Sequence, residues 1–195
     1  MFNIVLLEPE IPSNTGNIGR TCLVTGSRLH LIEPMGFILN DKNLKRAGMD
    51  YWAELDVTVY DSWRDFVWKH AGDICFPEET LRSAGYPGEA QDCQPVLETD
   101  ASGKSRIWMA TTKAQKVYDQ AVFRDGDYIL FGKESAGIPE EILLENRSTC
   151  IRIPMAAGQR SLNLSNSAAV ILYEALRQEH FRDLEPYGQL HEHRW

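Results

Sequence analysis

Short apolar runs and longer amphipathic segments alternate along the chain. The short runs are apolar or β-branched and stop at Pro, Gly or an acidic residue, which is typical of buried strands. Strands are therefore predicted over Asn3–Glu8, Arg28–Glu33, Asp56–Tyr60, Arg106–Thr111, Tyr128–Phe131 and Cys150–Ile153. The amphipathic segments predict helices over Asn17–Thr25, Asp41–Ala47, Ser62–His70, Pro139–Leu144 and Asn163–Gln178.

The last predicted helix has the clearest amphipathic pattern. We expect one of its faces to be buried, because apolar side chains recur there at helical spacing. These side chains are Leu164, Ala168, Ile171, Leu172, Ala175 and Leu176. The alternation of strands and helices predicts an α/β fold with a mostly parallel sheet and helices on both faces. Ligands of such sheets bind beyond the carboxyl ends of the strands.

One segment interrupts this alternation. Residues 72–105 contain four Gly, three Pro and more acidic than basic residues. We interpret them as a partly mobile surface insertion within a single domain that spans residues 1–195. A linker between two domains is the less favoured alternative, because neither flanking part is complete by itself.

Composition and charge narrow the class of protein. A chain of 195 residues with 43% hydrophobic and 25% charged residues is typical of one globular domain. The net charge of −8 argues against nonspecific coating of nucleic acid but leaves room for a local basic patch. Four scattered cysteines without a C-x-x-C pair predict reduced thiols in a cytoplasmic protein. No apolar run reaches transmembrane length, so no membrane partner is expected.

Familiar catalytic and metal-binding signatures are missing from the sequence. It has no G-x-x-x-x-G-K-[ST] phosphate loop and no G-x-S-x-G nucleophile elbow. His191-Glu192-His193 is a weak metal motif without further ligands, and a solvated tail is the favoured interpretation. We therefore expect no metal.

Three segments that follow predicted strands carry residues suited to ligand binding. In Asn14–Arg20, the arginine can hold a phosphate with two hydrogen bonds, although a capped helix start with an exposed arginine fits equally well. In Phe131–Pro139, Gly132 allows close approach of a ligand, and an ordinary strand-to-helix loop is the alternative. In Ile153–Asn166, Ser and Asn residues gather where a long helix begins, which suits a small polar ligand.

Taken together and in this order, the three segments closely resemble the SPOUT superfamily of RNA methyltransferases. The matching residues are Asn14-Thr15-Gly16-Asn17-Ile18 with Arg20, Phe131-Gly132 with Glu134 and Gly137-Ile138-Pro139, and Ile151-Arg152-Ile153-Pro154-Met155 followed by Arg160-Ser161-Leu162-Asn163-Leu164-Ser165-Asn166. Further stretches resemble the subfamily that methylates the ribose 2′-hydroxyl of the tRNA wobble nucleotide. They are residues 8–12, 29–37 and 46–51.

This resemblance implies a fold and a chemistry that the composition of the chain could not show. It implies a C-terminal trefoil knot, S-adenosylmethionine as methyl donor, tRNA as substrate, and a homodimer with its active site at the interface. Backbone groups on the knot loops would contact the methyl donor, with two side chains near the start of the last helix in support. The backbone groups belong to Ala110, Gly132, Ile153 and Ser161, and the supporting residues are Ser165 and Asn166.

The resemblance also implies roles for two further side chains. Arg20 stands where related ribose methyltransferases have a catalytic arginine. A guanidinium is a poor base, so the hypothesis is that Arg20 mainly holds the target phosphate and orients the hydroxyl. Tyr173 matches a family position and would contribute to the dimer or the active site, with a packed helix tyrosine as the alternative. Ala136 stands where relatives often have Arg, which removes one possible phosphate or ribose contact.

Binding of RNA requires cations. Lys42–Arg46 is the densest basic cluster, and a solvated helix face is an equally good interpretation of it. The candidate RNA contacts are Arg20, Lys42, Lys45, Arg46, Lys113, Lys116 and Arg160, with Asn14 and Asn17 as polar supporting residues. Two alternatives to wobble methylation remain open: the same ribose methylation at another tRNA or rRNA site, and a catalytically silent RNA-binding protein.

Overall fold

A single parallel sheet forms the centre of the protein in the computed structural model, which describes residues 1–38, 50–88 and 103–193. Its seven strands within these ranges lie in the order β3-β2-β1-β6-β4-β7-β5, and every neighbouring pair is parallel. The strands are β1 Asn3–Leu7, β2 Arg28–Ile32, β3 Val57–Tyr60, β4 Ile107–Ala110, β5 Lys116–Val117, β6 Tyr128–Phe131 and β7 Cys150–Arg152.

Helices cover both faces of this sheet, which confirms the predicted α/β class. The α-helices are α1 Pro12–Thr25, α2 Trp63–His70, α3 Glu78–Ser83, α4 Glu140–Glu145 and α5 Leu164–Gln178, and 3₁₀ helices span Asp50–Glu54, Tyr118–Gln120 and Arg147–Thr149. One apolar core joins α1 and α5 to one face of the sheet. A second core joins α2, α3 and α4 to the other face. None of the helices in the described ranges is long and apolar enough to cross a membrane.

Six of the seven strands were predicted to within one residue at each end. The predicted buried face of the last helix is also confirmed, since Ala168, Ile171 and Leu172 are at most 1% exposed and Leu164 packs against the core. Strand β5 was missed because it has only two residues and therefore shows no apolar alternation. The predicted helix Asp41–Ala47 lies outside the described residues.

The predicted start of the first helix at Asn17 is wrong, because α1 begins at Pro12. Proline suits the first helical turn, since its missing N–H needs no partner there. The preceding Ile11 has no capping side chain, and the Glu134 carboxylate accepts a hydrogen bond from the Ile11 amide at 3.3 Å instead. The predicted loop Asn14–Arg20 therefore lies inside α1.

The segment predicted as a surface insertion is partly core. Ile74, Phe76 and Leu81 are buried against α2 and the sheet, and α3 lies within this segment. The sequence conceals this because its glycines, prolines and acids obscure the few apolar positions of a six-residue helix. Residues 89–102 of the insertion lie outside the described ranges.

Candidate functional site

A cavity of about 560 Å³ lies beyond the carboxyl ends of the central strands. Strands β1, β6, β4 and β7 are neighbours and parallel, so the segments that follow them meet at one edge of the sheet. These four segments line the cavity through Ile11, Asn14, Ala110, Thr111, Gly132, Lys133, Glu134, Ile153, Arg160, Ser161, Asn163 and neighbouring residues. Their lining combines apolar side chains with a few polar groups, as is typical of small-molecule sites.

Backbone atoms form one wall of the cavity, because Gly132 has no side chain. A Cβ atom at this position would fall well inside van der Waals contact of the Gly137 carbonyl carbon and the Ile138 amide nitrogen. The loop folds back so closely because the Gly137 amide donates to the Lys133 carbonyl at 2.8 Å. Gly137 itself has φ +74°, a conformation that favours glycine.

A chain of hydrogen bonds joins the three segments that the sequence suggests for ligand binding. Asn14 Nδ2 donates to Glu134 Oε1 at 3.0 Å, and Asn163 Nδ2 donates to Asn14 Oδ1 at 3.0 Å. Asn163 Oδ1 in turn accepts from the backbone amides of Ser165 at 2.9 Å and Asn166 at 3.3 Å, which caps α5. The asparagine in α1 thus connects the loop after β6 to the start of α5.

Two charged side chains at the rim of the cavity, Lys133 and Glu10, each have a partner. Lys133 Nζ lies 2.8 Å from Glu8 Oε2, and this carboxylate raises the pKa of Lys133 through its hydrogen bond and charge. The Ser135 hydroxyl and amide each donate to Glu10 at 2.8 Å and lower the pKa of that carboxyl. The raised pKa keeps Lys133 a cation at neutral pH, so Lys133 is unsuited to act as a general base.

Arg20 is exposed on α1 and is not among the residues that line the cavity. Its guanidinium carbon lies 4.6 Å from the centroid of the Tyr51 ring, within the range of a cation–π contact. The Tyr51 hydroxyl donates to the Gly16 carbonyl, one helical turn before Arg20.

The predicted site residues fall into three groups. Those that line the cavity are Asn14, Ala110, Lys113, Gly132, Ile153, Arg160 and Ser161, whereas Lys116 on β5 does not line it. Those on α1 and α5 that do not line it are Asn17, Arg20, Ser165, Asn166 and Tyr173, of which only Ser165 is not exposed. Lys42, Lys45 and Arg46 lie outside the described residues. The structure therefore brings the predicted cofactor residues together and places Arg20 elsewhere on the same chain.

Glu134 and Asn163 were not predicted as site residues, although both form hydrogen bonds with Asn14 that connect the segments lining the cavity. Asn163 could have been found, because Asn directly before an amphipathic helix is a strong capping signal. Glu134 stands in the family motif that follows β6, but its role could not be predicted, because its partners are more than a hundred positions away in the sequence. Within the described ranges, no cluster of three or more His, Cys, Asp or Glu side chains could hold a metal ion.

The sequence profile of the SpoU rRNA Methylase family matches residues 1–76 and 89–173. The chain belongs to this family. The trefoil knot of the predicted fold is characteristic of the SpoU methylases. Residues 77–88, which contain α3, fall between the two matched segments.

Relatives in the SpoU family include a tRNA (cytidine(34)-2'-O)-methyltransferase from Saccharophagus degradans, 43% identical over 91% of this chain and 96% of its own length. A solved structure described as "Structural insights into the 2-OH methylation of C/U34 on tRNA" is 36% identical, with a TM-score of 0.70 over 93% of this chain and 98% of that one. The SpoU methyltransferase AviRb from Streptomyces viridochromogenes, solved with AdoMet, shares the fold at 22% identity, with a TM-score of 0.65 over 91% of this chain and 57% of that one.

Proposed function

We propose that this protein transfers a methyl group from S-adenosylmethionine to the ribose 2′-hydroxyl of the wobble nucleotide of tRNA, position 34. The observation that carries the proposal is the cavity at the carboxyl edge of the sheet, where the family's three sequence motifs meet. The similarity to a tRNA (cytidine(34)-2'-O)-methyltransferase along nearly the whole chain supports the choice of substrate.

The residues of the cavity fit S-adenosylmethionine. Its volume of about 560 Å³ lies in the range of about 300–1,000 Å³ that is typical of small-molecule sites. Ala110, Gly132, Ile153 and Leu162 line the cavity, and the backbone groups of Ala110, Gly132 and Ile153 would hold the cofactor there beside apolar side chains. When bound, this cofactor supplies a methyl group on a positively charged sulfur, which is already activated for transfer.

The protein then has to place the ribose hydroxyl in line with the methyl group. Arg20 can hold the phosphate beside the target ribose with two parallel N–H donors, which fixes the position of the hydroxyl. A guanidinium is a poor base, and the raised pKa keeps Lys133 a cation, so neither side chain suits removal of the hydroxyl proton. We infer that Arg20 contributes by orienting the nucleotide.

Ribose methylation can be tested with labelled S-adenosylmethionine and tRNA from a strain that lacks the wobble modification. After alkaline hydrolysis, we expect the label in an alkali-resistant dinucleotide that contains position 34, because a 2′-O-methyl group blocks cleavage. A matched tRNA with 2′-deoxycytidine at position 34 should accept no label. Label in mononucleotides, or equal labelling of the deoxy tRNA, would contradict the proposal.

We propose further that the chain acts as a homodimer through the exposed sides of α1 and α5. These helices pack against each other and expose apolar side chains, among them Val24 at 62%, Val170 at 37% and Tyr173 at 46%. Arg20 is on this surface and does not line the cavity of its own chain. A second copy that brings its Arg20 to this cavity would complete the site, as the resemblance to SPOUT enzymes implies.

A charged side chain at position 170, on the exposed surface of α1 and α5, should separate the two copies. We expect Val170→Asp to convert a dimer into a monomer in light scattering and to lower methylation strongly, because a buried unpaired charge is costly at an interface. Leu144→Asp is the control, since Leu144 is a 74% exposed apolar residue of α4. A monomeric wild-type protein, or a dimeric Val170→Asp variant, would refute this arrangement.

A further inference from the structure

We propose that Tyr51 is a positioning residue for Arg20, which it holds in one orientation by stacking beneath the guanidinium. The guanidinium carbon lies 4.6 Å from the centroid of the tyrosine ring. This inference rests on the proposed function, in which Arg20 orients the target nucleotide. Nothing in the sequence pattern of α1 indicates that a residue 31 positions later touches its arginine.

The 3₁₀ helix Asp50–Glu54 holds Tyr51 against α1. Gly19 permits this contact, because a Cβ atom there would lie 3.0 Å from Leu55 Cδ2 and 3.1 Å from Trp52 Cζ3. The Tyr51 hydroxyl donates to the Gly16 carbonyl, which fixes the ring along the helix. Both glycines of the Asn14–Arg20 segment thus lie at the contact that brings the tyrosine ring to Arg20.

Stacking leaves the guanidinium free to bind a ligand. A ring that contacts the face of the guanidinium leaves those N–H groups that do not bond the Tyr51 hydroxyl available to a phosphate, because they lie in the guanidinium plane. An exposed arginine otherwise samples many rotamers, and the ring restricts them before substrate binds. Arg20 is itself exposed, so a second molecule can reach these N–H groups.

Tyr51 is unsuited to act as the base that removes the hydroxyl proton. Burial raises the pKa of its phenol, although the charge of Arg20 opposes this effect. The phenol therefore keeps its proton at neutral pH and uses it in the bond to Gly16. Its contribution to the reaction then comes from its ring and its position.

A similar pair elsewhere in the chain provides a control. Arg64 on α2 lies over the Trp68 ring at 4.9 Å from the centroid, and the Trp68 indole donates to the Ala84 carbonyl at 2.8 Å. Both pairs join an exposed arginine to an aromatic ring that is anchored by a hydrogen bond to backbone. Only the pair on α1 contains the proposed catalytic arginine.

The test compares Tyr51→Leu, which removes the aromatic ring but keeps apolar bulk, with Tyr51→Phe, which keeps the ring. We expect Tyr51→Leu to lower kcat for tRNA methylation about 10- to 100-fold, because misplacement by an ångström is enough for such losses. The KM for S-adenosylmethionine should not change, and Tyr51→Phe should keep at least half of the activity. Trp68→Leu, the matched control, should stay within twofold of wild type.

A second measurement does not depend on activity. In the wild-type protein, NMR of the Arg20 side-chain Nε–Hε group should show restricted motion and a ring-current shift, and Tyr51→Leu should abolish both. An Arg20 side chain that is fully mobile in the wild-type protein would overturn the proposal, as would a Tyr51→Leu kcat within twofold of wild type. If the wild-type enzyme methylates no tRNA, the proposed function fails, while the NMR result still decides whether Tyr51 holds Arg20.

Discussion

Replacement of Arg20 by Ala is expected to lower kcat for ribose methylation about 100-fold or more, with little change in the affinity for S-adenosylmethionine. The arginine lies outside the cavity of its own chain, so its loss leaves the walls of the cofactor site intact. The substitution removes the proposed contact between Arg20 and the target phosphate. Loss of substrate orientation, or of one charge-assisted contact in the transition state, lowers kcat by about this factor.

Single-turnover methylation of tRNA and calorimetric titration with the cofactor separate these two effects. Arg64→Ala is the matched control, because Arg64 is also exposed and stacked on an aromatic ring. Arg20→Lys should recover only part of the rate, since a lysine cannot donate two parallel hydrogen bonds to a phosphate. Full activity of Arg20→Lys would refute the bidentate contact.

Replacement of Gly132 by Ala is expected to weaken binding of S-adenosylmethionine roughly 10- to 100-fold. The new methyl group would collide with the backbone of Gly137 and Ile138, and backbone atoms cannot move aside as a flexible side chain can. Overpacking of this kind costs typically about 1–3 kcal/mol. The loop from Lys133 to Gly137 must then open, and with it one wall of the cavity.

Cofactor titration and thermal unfolding of the same samples measure both consequences. Gly72→Ala is the control, because a Cβ atom at Gly72 meets no atom within 4 Å. We expect Gly72→Ala to bind the cofactor like wild type and Gly132→Ala to melt at a lower temperature. Unchanged cofactor affinity in Gly132→Ala would show that the loop after β6 is not part of the binding site.

The sheet and the longest helix could be predicted from sequence because their signals are local. Each strand other than β5 is a short apolar run that ends at a turn or acidic residue. Helix α5 repeats its apolar positions over four turns. Elements with weaker local signals were missed or misplaced. Strand β5 has two residues, and α3 is hidden among glycines, prolines and acids.

The beginning of α1 shows that a helix boundary can depend on a contact with a residue far away in the sequence. Nothing between Pro12 and Asn17 marks a helix start by its own side-chain cap. The acceptor comes from Glu134, whose carboxylate bonds the Glu10 amide at 2.8 Å across 124 positions of sequence. Pro12 is a local signal for the first helical turn, but a pattern read within a window of neighbouring residues cannot include a partner such as Glu134.

The sequence by itself determined the parallel α/β architecture, because the strand and helix signals are local, and the family motifs marked several of the residues that line the cavity. Only the tertiary structure decided how these residues cooperate. It joins Asn14 to Asn163 across 149 positions and places the Tyr51 ring beneath Arg20. The physical reason is that hydrogen bonds and stacking depend on distances in space, which packing of α1, α5 and the 3₁₀ helix on the sheet sets.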